Sequence, residues 1–212
     1  MGRCVIFCAG GFEKLALPIE KDDYILAADG GFAHLRKLGL APNGILGDFD
    51  SLGYVPENAQ VFPVEKDDTD SMLAIRKGLE KGYRRFVLYG ALDGPRLDHT
   101  LANLQALCFL AHHGARGYLA GQTTMATVFQ NEQAVFAHGE GIFSLFCLGQ
   151  DARVSLSGLQ YELEDGILSH SFPLGVSNHF MGRQATVTVT GGCVAALYPI
   201  EIGFPVRKEV DL

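Results

Sequence analysis

Several common signatures are missing from this sequence, and each absence excludes a class of function. No glycine is followed directly by lysine, so the phosphate loop of the P-loop nucleotide hydrolases is not there. No Gly-x-Gly-x-x-Gly fingerprint occurs, which argues against an ordinary dinucleotide enzyme. No Gly-x-Ser-x-Gly elbow occurs either, leaving a serine hydrolase without support. Basic residues are few: 17 Lys and Arg against 24 Asp and Glu, a formal charge of −7, the opposite of what a nucleic-acid binder carries. No apolar stretch approaches the roughly 20 residues of a membrane span. After Arg3 only six apolar or small residues precede Gly10, too few for a signal peptide. Position 6 is Ile6 and not Ser or Thr, so Met1-Gly2 is not a myristoylation start. The five cysteines include no C-x-x-C pair, and Cys4 and Cys8 lie in an apolar run. They read as buried thiols of a reducing cytosol, with no zinc spacing. The expectation is a soluble cytoplasmic protein that engages neither nucleic acid nor membrane.

What is present is globular. Of the 212 residues 48% are apolar and 19% charged, which excludes wholesale disorder and suits one large domain or two small ones. Up to about residue 125, apolar runs bounded by glycines alternate with helical patterns. Strands are expected at 3–9, 24–28, 44–46, 61–64 and 85–89. Helices are expected at 32–38, at 69–81 with Met72, Ile75 and Leu79 inward, and at 98–113 with Leu101, Leu104, Cys108 and Ala111 on the buried face. The second half changes to short Val-, Thr- and Phe-rich alternating segments, and Asp165-Gly166 is a two-residue hairpin signal. The fold class is α/β: a Rossmann-like parallel sheet with helices over residues 1–125, then an antiparallel β-sandwich over 126–212.

Acidic residues gather at strand ends. Asp29, Asp48 and Asp50 directly follow predicted strands, Asp70 opens a helix just after another, and Asp98 opens the helix after the 85–89 strand. Ligands of open parallel sheets bind beyond the carboxyl ends of the strands, so these acids would share one crevice. Each alone is an ordinary N-cap or turn residue. Two carboxylates about 4 Å apart repel by roughly 4 kcal/mol at an effective dielectric of 20, so a cluster calls for a cation. All-oxygen ligands favour Mg²⁺. Asp48-x-Asp50 would put both carboxylates on one side of an extended segment. Lys66 and Arg96 supply cations that offset phosphate charge, or simply form salt bridges with neighbouring acids. The turns Gly10-Gly11, Gly30-Gly31 and Gly90-Ala-Leu-Asp-Gly94 would let backbone N–H groups approach a phosphate, or merely punctuate loops.

The blocks Asp29-Gly-Gly, Gly47-Asp-Phe-Asp-Ser51, Lys66-Asp-Asp-Thr-Asp70 and Gly94-Pro-Arg-Leu-Asp-His99 with Asn103, in that order, resemble bacterial thiamine pyrophosphokinases. Ser157-Gly-Leu-Gln-Tyr161 and Gly175-Val-Ser-Asn178 look like the C-terminal motifs of that family. The resemblance implies transfer of the diphosphoryl group of ATP to the hydroxyl of thiamine, with release of AMP, in a homodimer whose clefts lie between subunits. By resemblance Asp48, Asp50 and Asp70 hold Mg²⁺ and the ATP phosphates, and Asp29 and Asp98 complete the acidic pocket. Lys66, Thr69, Arg96, His99 and Asn103 contact the nucleotide. Ser177 and Asn178 lie near thiamine, contributed by the partner subunit. The chain has no tryptophan, which animal and fungal members place near the thiamine ring; Phe180 or His179 is the candidate to stack there instead. Asp70 or Asp98 would accept the proton of the attacking hydroxyl. Two rival readings are the same scaffold acting on another acceptor alcohol, and a regulator that binds nucleotide or thiamine without turnover.

Overall fold

The computed structural model describes residues 2–210. The first half contains β1 (Cys4–Phe7), β2 (Tyr24–Ala28), α1 (Gly31–Leu38), β3 (Gly44–Gly47), β4 (Gln60–Val61), α2 (Asp70–Glu80), β5 (Arg85–Tyr89), α3 (Leu97–His112) and β6 (Arg116–Ala120). Its strands lie in the order β4-β3-β2-β1-β5-β6, all parallel. The chain winds outward from β1 to β4 and then returns to place β5 on the other side of β1. The switch point of the sheet is therefore between β1 and β5, where a crevice opens.

Alternate residues of each strand feed opposite faces. Val5 and Phe7 face the side covered by Leu35 of α1, while Cys4, Ile6 and Cys8 face Ala74 and Ile75 of α2 and Ala106, Leu107 and Leu110 of α3. Helix α2 begins where Thr69 accepts the Met72 N–H, a side-chain N-cap. Helix α1 lies so close to the sheet that a Cβ on Gly31 would fall 1.9 Å from the Phe7 carbonyl oxygen. The Asp-Gly-Gly turn is thus demanded by packing before any ligand is considered. Helix α3 turns a different stripe inward than its periodicity suggests. Asn103, Ala106, Leu107 and Leu110 are buried, whereas Leu101 is 56% exposed. The helix carries leucines on several faces, so sequence spacing does not choose among them.

The second half contains β7 (Thr124–Phe129), β8 (Glu132–Phe136), β9 (Glu140–Ser157), β10 (Leu163–Leu168), β11 (Asn178–Met181), β12 (Ala185–Pro199) and β13 (Val206–Glu209), and every pairing among them is antiparallel. Two strands are long, 18 residues in β9 and 15 in β12, where short segments were expected. They run side by side past a register shift between Gly191 and Cys193, so that β12 pairs first with β8 and then with β7. Asp165-Gly166 is not a hairpin turn. It sits inside β10, where the pairing with β9 shifts register between Leu163 and Gly166 and Asp165 takes φ 48°. Asp-Gly supplies the left-handed conformation that a bulge and a tight turn both need, so the dipeptide alone does not distinguish them. Phe136, Phe143, Phe180 and Tyr198 pack edge to face between these strands, in a core continuous with Val5 and Phe7 of the first half.

Candidate active site

A cleft of about 480 Å³ opens beyond the carboxyl ends of β1, β2, β3 and β5. Asp29 enters it from β2. Its N–H donates to the Leu46 carbonyl (2.8 Å), extending the ladder by one residue, and its φ of 48° turns the chain into α1. Ser51 Oγ donates to Asp29 Oδ2 (2.5 Å), while Asp29 Oδ1 is buried with no hydrogen-bond partner. The next strand brings Asp48 and Asp50. The segment between them is not extended: Phe49 has φ 60° and is 3% exposed, its ring anchored in the interior. A bulky residue held in that region costs on the order of 1–3 kcal/mol, and such strain persists where surrounding structure fixes it, commonly at functional sites. The turn still gathers the acids, because one carboxylate oxygen each from Asp29, Asp48 and Asp50 lie within 4.8 Å of one another.

Lys66 lies across the same cleft on the loop between β4 and α2. Its Nζ is 2.6 Å from Asp48 Oδ2 and 3.2 Å from Asp70 Oδ1. The hydrogen bond from Lys66 holds the Asp48 carboxyl below its ordinary pKa. Burial works against the Lys66 ammonium, but the two carboxylates outweigh it and keep its pKa above the ordinary value. Asp70 behaves differently. Burial pushes its pKa up, the charges of Asp48 and Asp29 push the same way, and Lys66 only partly opposes them. Asp70 Oδ1 receives no aligned hydrogen bond.

Arg96, His99 and Thr69 also line the cleft. The Thr69 hydroxyl is committed to capping α2. Two residues expected here are elsewhere. Asp98 lies outside the cleft lining and faces a neighbouring groove with Leu101 and Gln105. Arg96 holds it (Nη2 to Oδ2, 2.6 Å), and that hydrogen bond lowers its pKa to about 2. Asn103 is buried inside α3, where Nδ2 donates to the Ala91 carbonyl (2.8 Å) and Oδ1 accepts from Ser71 Oγ (3.0 Å). It ties the loop after β5 to the start of α2 without reaching the cleft. The Gly10-Gly11 turn is also spent internally: the Gly10 N–H donates to the Gly90 carbonyl and the Gly11 N–H to the Asp93 carbonyl. Their lack of side chains serves this close loop-to-loop approach and leaves neither N–H for a phosphate.

The residues expected near a second substrate lie in the second half and none lines the cleft. Ser177 is exposed, in a left-handed conformation (φ 61°), with its N–H donating to Ser144 Oγ. Asn178 is buried, and its side chain bridges the backbone N–H and carbonyl of Tyr161. Phe180 is 4% exposed and belongs to the aromatic core, so it has no free face on which a ligand ring can stack. His179 alternates with it on β11 and is half-buried, with Nδ1 lacking a partner. Sequence reasoning did not single out Asp93 and Ser51 as site residues. Asp93 lines the cleft and accepts the Gln122 N–H (2.6 Å), while Ser51 orients Asp29. Asp93 lies within the Gly90–Gly94 turn and Ser51 closes the Gly47–Ser51 block, which is the only signal the sequence carries for them.

Residues 15–119 match the family model described as "Thiamin pyrophosphokinase, catalytic domain", and residues 132–194 match "Thiamin pyrophosphokinase, vitamin B1 binding domain". The thiamine pyrophosphokinase of Bacillus subtilis is 25% identical, the match covering 90% of this chain and 95% of that protein. The crystal structure of thiamine pyrophosphokinase from Bacillus subtilis has a similar fold, with TM-score 0.81 at 23% identity over all of both chains. That of the Candida albicans thiamin pyrophosphokinase gives 0.71 at 14% identity, over 92% of this chain and 88% of that one. The acids of the cleft fall in the first matched segment and Ser177 and Asn178 in the second, and by these two matches the chain is a member of the thiamin pyrophosphokinase family.

Proposed function

We propose that this protein transfers the diphosphoryl group of ATP to the hydroxyl of thiamine, giving thiamine diphosphate and AMP. The observation that carries the reading is the convergence of Asp29, Asp48 and Asp50 at the strand ends of a domain matched to the catalytic model of the family. These residues fit a hard divalent cation. Three carboxylate oxygens lie close enough to share one ion, and Asp29 Oδ1 is a buried acceptor otherwise unsatisfied. In this reading Asp29 is the third ligand beside Asp48 and Asp50, because Asp70 is not among the carboxylates whose oxygens gather within 4.8 Å. When bound, Mg²⁺ supplies charge compensation for the triphosphate.

The protein's own groups do the rest. Lys66, Arg96 and His99 line the cleft and face the polyphosphate. The thiamine hydroxyl attacks the β-phosphorus in line, the new O–P bond forms, and AMP leaves with the electrons of the broken P–O bond. Asp70 accepts the hydroxyl proton; its raised pKa makes it a better base than an exposed carboxylate. Asp98, held ionised by Arg96 outside the cleft lining, does not suit that role. Thiamine is itself cationic, so an acidic cleft also suits the acceptor. We place thiamine between this cleft and the Ser177–Asn178 segment of a partner subunit, with residues 1–125 and 126–212 as the two domains. Exposed Tyr161, Phe172, Leu174 and Val176 around that segment support a homodimer, and the five free cysteines support a reducing cytoplasm. No helix among the described residues is long and apolar enough to cross a membrane.

The test is chromatographic. Protein, ATP, Mg²⁺ and thiamine together should yield AMP and thiamine diphosphate in equal amounts, with neither product formed when thiamine or Mg²⁺ is omitted. ADP with thiamine monophosphate, or binding without product, would refute diphosphoryl transfer.

A further inference from the structure

We infer that Lys66 is a built-in counter-ion that competes with the divalent cation for Asp48, bridging Asp48 and Asp70 in the free protein and moving to the triphosphate when the cation binds. This rests on the reading of the cleft as an ATP–cation site. Asp48 is the shared group: one of its oxygens contacts Lys66 Nζ at 2.6 Å, and the same carboxylate belongs to the triad with Asp29 and Asp50. All three members of the Lys66 bridge are largely shielded, with side-chain exposures of 14% for Lys66, 10% for Asp48 and 19% for Asp70. A divalent ion and an ammonium on one shielded carboxylate repel strongly, so occupancy by one disfavours the other.

Lys66 is built to move. It sits outside regular structure between β4 and α2, on a segment whose Val64 is 67% exposed. A lysine head is a point charge on a flexible four-carbon stem, able to change partners where a forked guanidinium would be tied to one geometry. Arg96, the other strong cation of the cleft, is occupied by Asp98 and 66% exposed, so it does not neutralise the acids. The arrangement couples the two ligands. A triphosphate gives the displaced ammonium a new anionic partner, so nucleotide should strengthen cation binding, and by linkage the cation should strengthen nucleotide binding.

The experiment titrates Mn²⁺ into nucleotide-free protein, read by calorimetry and by the electron paramagnetic resonance of free Mn²⁺, for the wild type, Lys66→Met, Lys66→Arg and Asp48→Asn. Lys66→Met should bind Mn²⁺ at least about tenfold more tightly than the wild type. Lys66→Arg, whose guanidinium holds Asp48 more firmly, should bind Mn²⁺ no more tightly than the wild type. A non-hydrolysable ATP analogue should tighten Mn²⁺ binding in the wild type by a larger factor than in Lys66→Met. Equal or weaker Mn²⁺ binding by Lys66→Met, with Asp48→Asn still abolishing it in the wild type, overturns the exchange and leaves the cation site standing. No Mn²⁺ binding by either the wild type or Lys66→Met overturns both. Should Lys66→Met melt too early to titrate, the comparison passes to Lys66→Gln, and a Mn²⁺-induced rise in melting temperature no larger than that of the wild type again overturns the proposal.

Discussion

Replacing Phe180 with alanine removes a ring that is almost wholly buried. Its centroid lies 5.3 Å from that of Phe136 and 5.2 Å from that of Phe143, at interplanar angles of 65° and 69°. The main chain of β11 is held in register opposite Gly141 and its neighbours on β9, so the site cannot collapse freely. Truncations of buried phenylalanine cost about 3–5 kcal/mol, the lost transfer energy plus the cavity left behind. The two edge-to-face pairs contribute about 0.5–1.5 kcal/mol each within that loss. In a chain of this size each kcal/mol moves the melting temperature by about 2–4 °C, so Phe180→Ala should melt about 6–20 °C below the wild type. The milder Phe180→Leu should cost about 1.5 kcal/mol or less and leave a folded enzyme. Its KM for thiamine should stay within about twofold of the wild type, because the ring lies in the core and not at a ligand. A Phe180→Leu protein with unchanged melting and a thiamine KM raised tenfold or more would refute the core assignment and restore Phe180 as the stacking residue.

Other perturbations test other parts of the structure. Arg207 lies buried against Glu132 and also bonds Tyr118, Thr127 and the Val128 carbonyl, so Arg207→Met, which leaves the buried Glu132 carboxylate only the longer contact with Arg116 (3.6 Å), should cost about 3–5 kcal/mol in urea unfolding. An unchanged urea midpoint would contradict this. Asp23 offers a pH test: burial raises its carboxyl, but the hydrogen bonds from Arg3 outweigh that and leave its pKa below the ordinary 3.8. Its folded pKa being depressed, Asp23 stabilises fully above the unfolded value and loses that contribution as pH falls through the folded one. The gap in unfolding free energy between the wild type and Asp23→Asn should therefore be full at neutral pH and narrow as the pH falls below about 4, and a constant gap would disprove the ion pair's role. Asp48→Asn should lower kcat at least a hundredfold, since a charge effect of several kcal/mol is at stake, while near-ultraviolet circular dichroism stays native. Normal Mg²⁺-dependent turnover in that variant would remove Asp48 from the cation site.

Much of the site was legible in the linear order. Apolar runs ending in Asp29 and Asp48 read directly as parallel strands delivering acids to the carboxyl end of the sheet, and the cleft lies there; the run at 61–64 does not form the expected strand, because β4 ends at Val61 and Val64 is exposed in the loop that leads to Lys66. Thr69 read as a helix start and caps α2. These features were readable because a strand end, an N-cap or a period of 3.6 is written within a few neighbouring residues. Asp98 and Asp70 stood as equals in sequence, each acidic at the start of a helix. They separate only because Arg96 reaches Asp98 at the surface, whereas Asp70 is buried beside Lys66. Asn103 likewise carries an ordinary polar side chain, and only the packing of α3 against the loop after β5 turns it inward to the Ala91 carbonyl.

By itself, then, the sequence determined the two-part α/β and antiparallel architecture, the edge of the sheet that bears the acids, and the family. Tertiary structure alone decided that Phe180 is core, that the Gly10 and Gly11 N–H groups bond loop to loop, that Asp29 gathers with Asp48 and Asp50, and that Lys66 sits between Asp48 and Asp70. The physical reason is that burial and the choice among competing hydrogen-bond and ion-pair partners depend on groups distant in the chain, brought near only by the packed sheet.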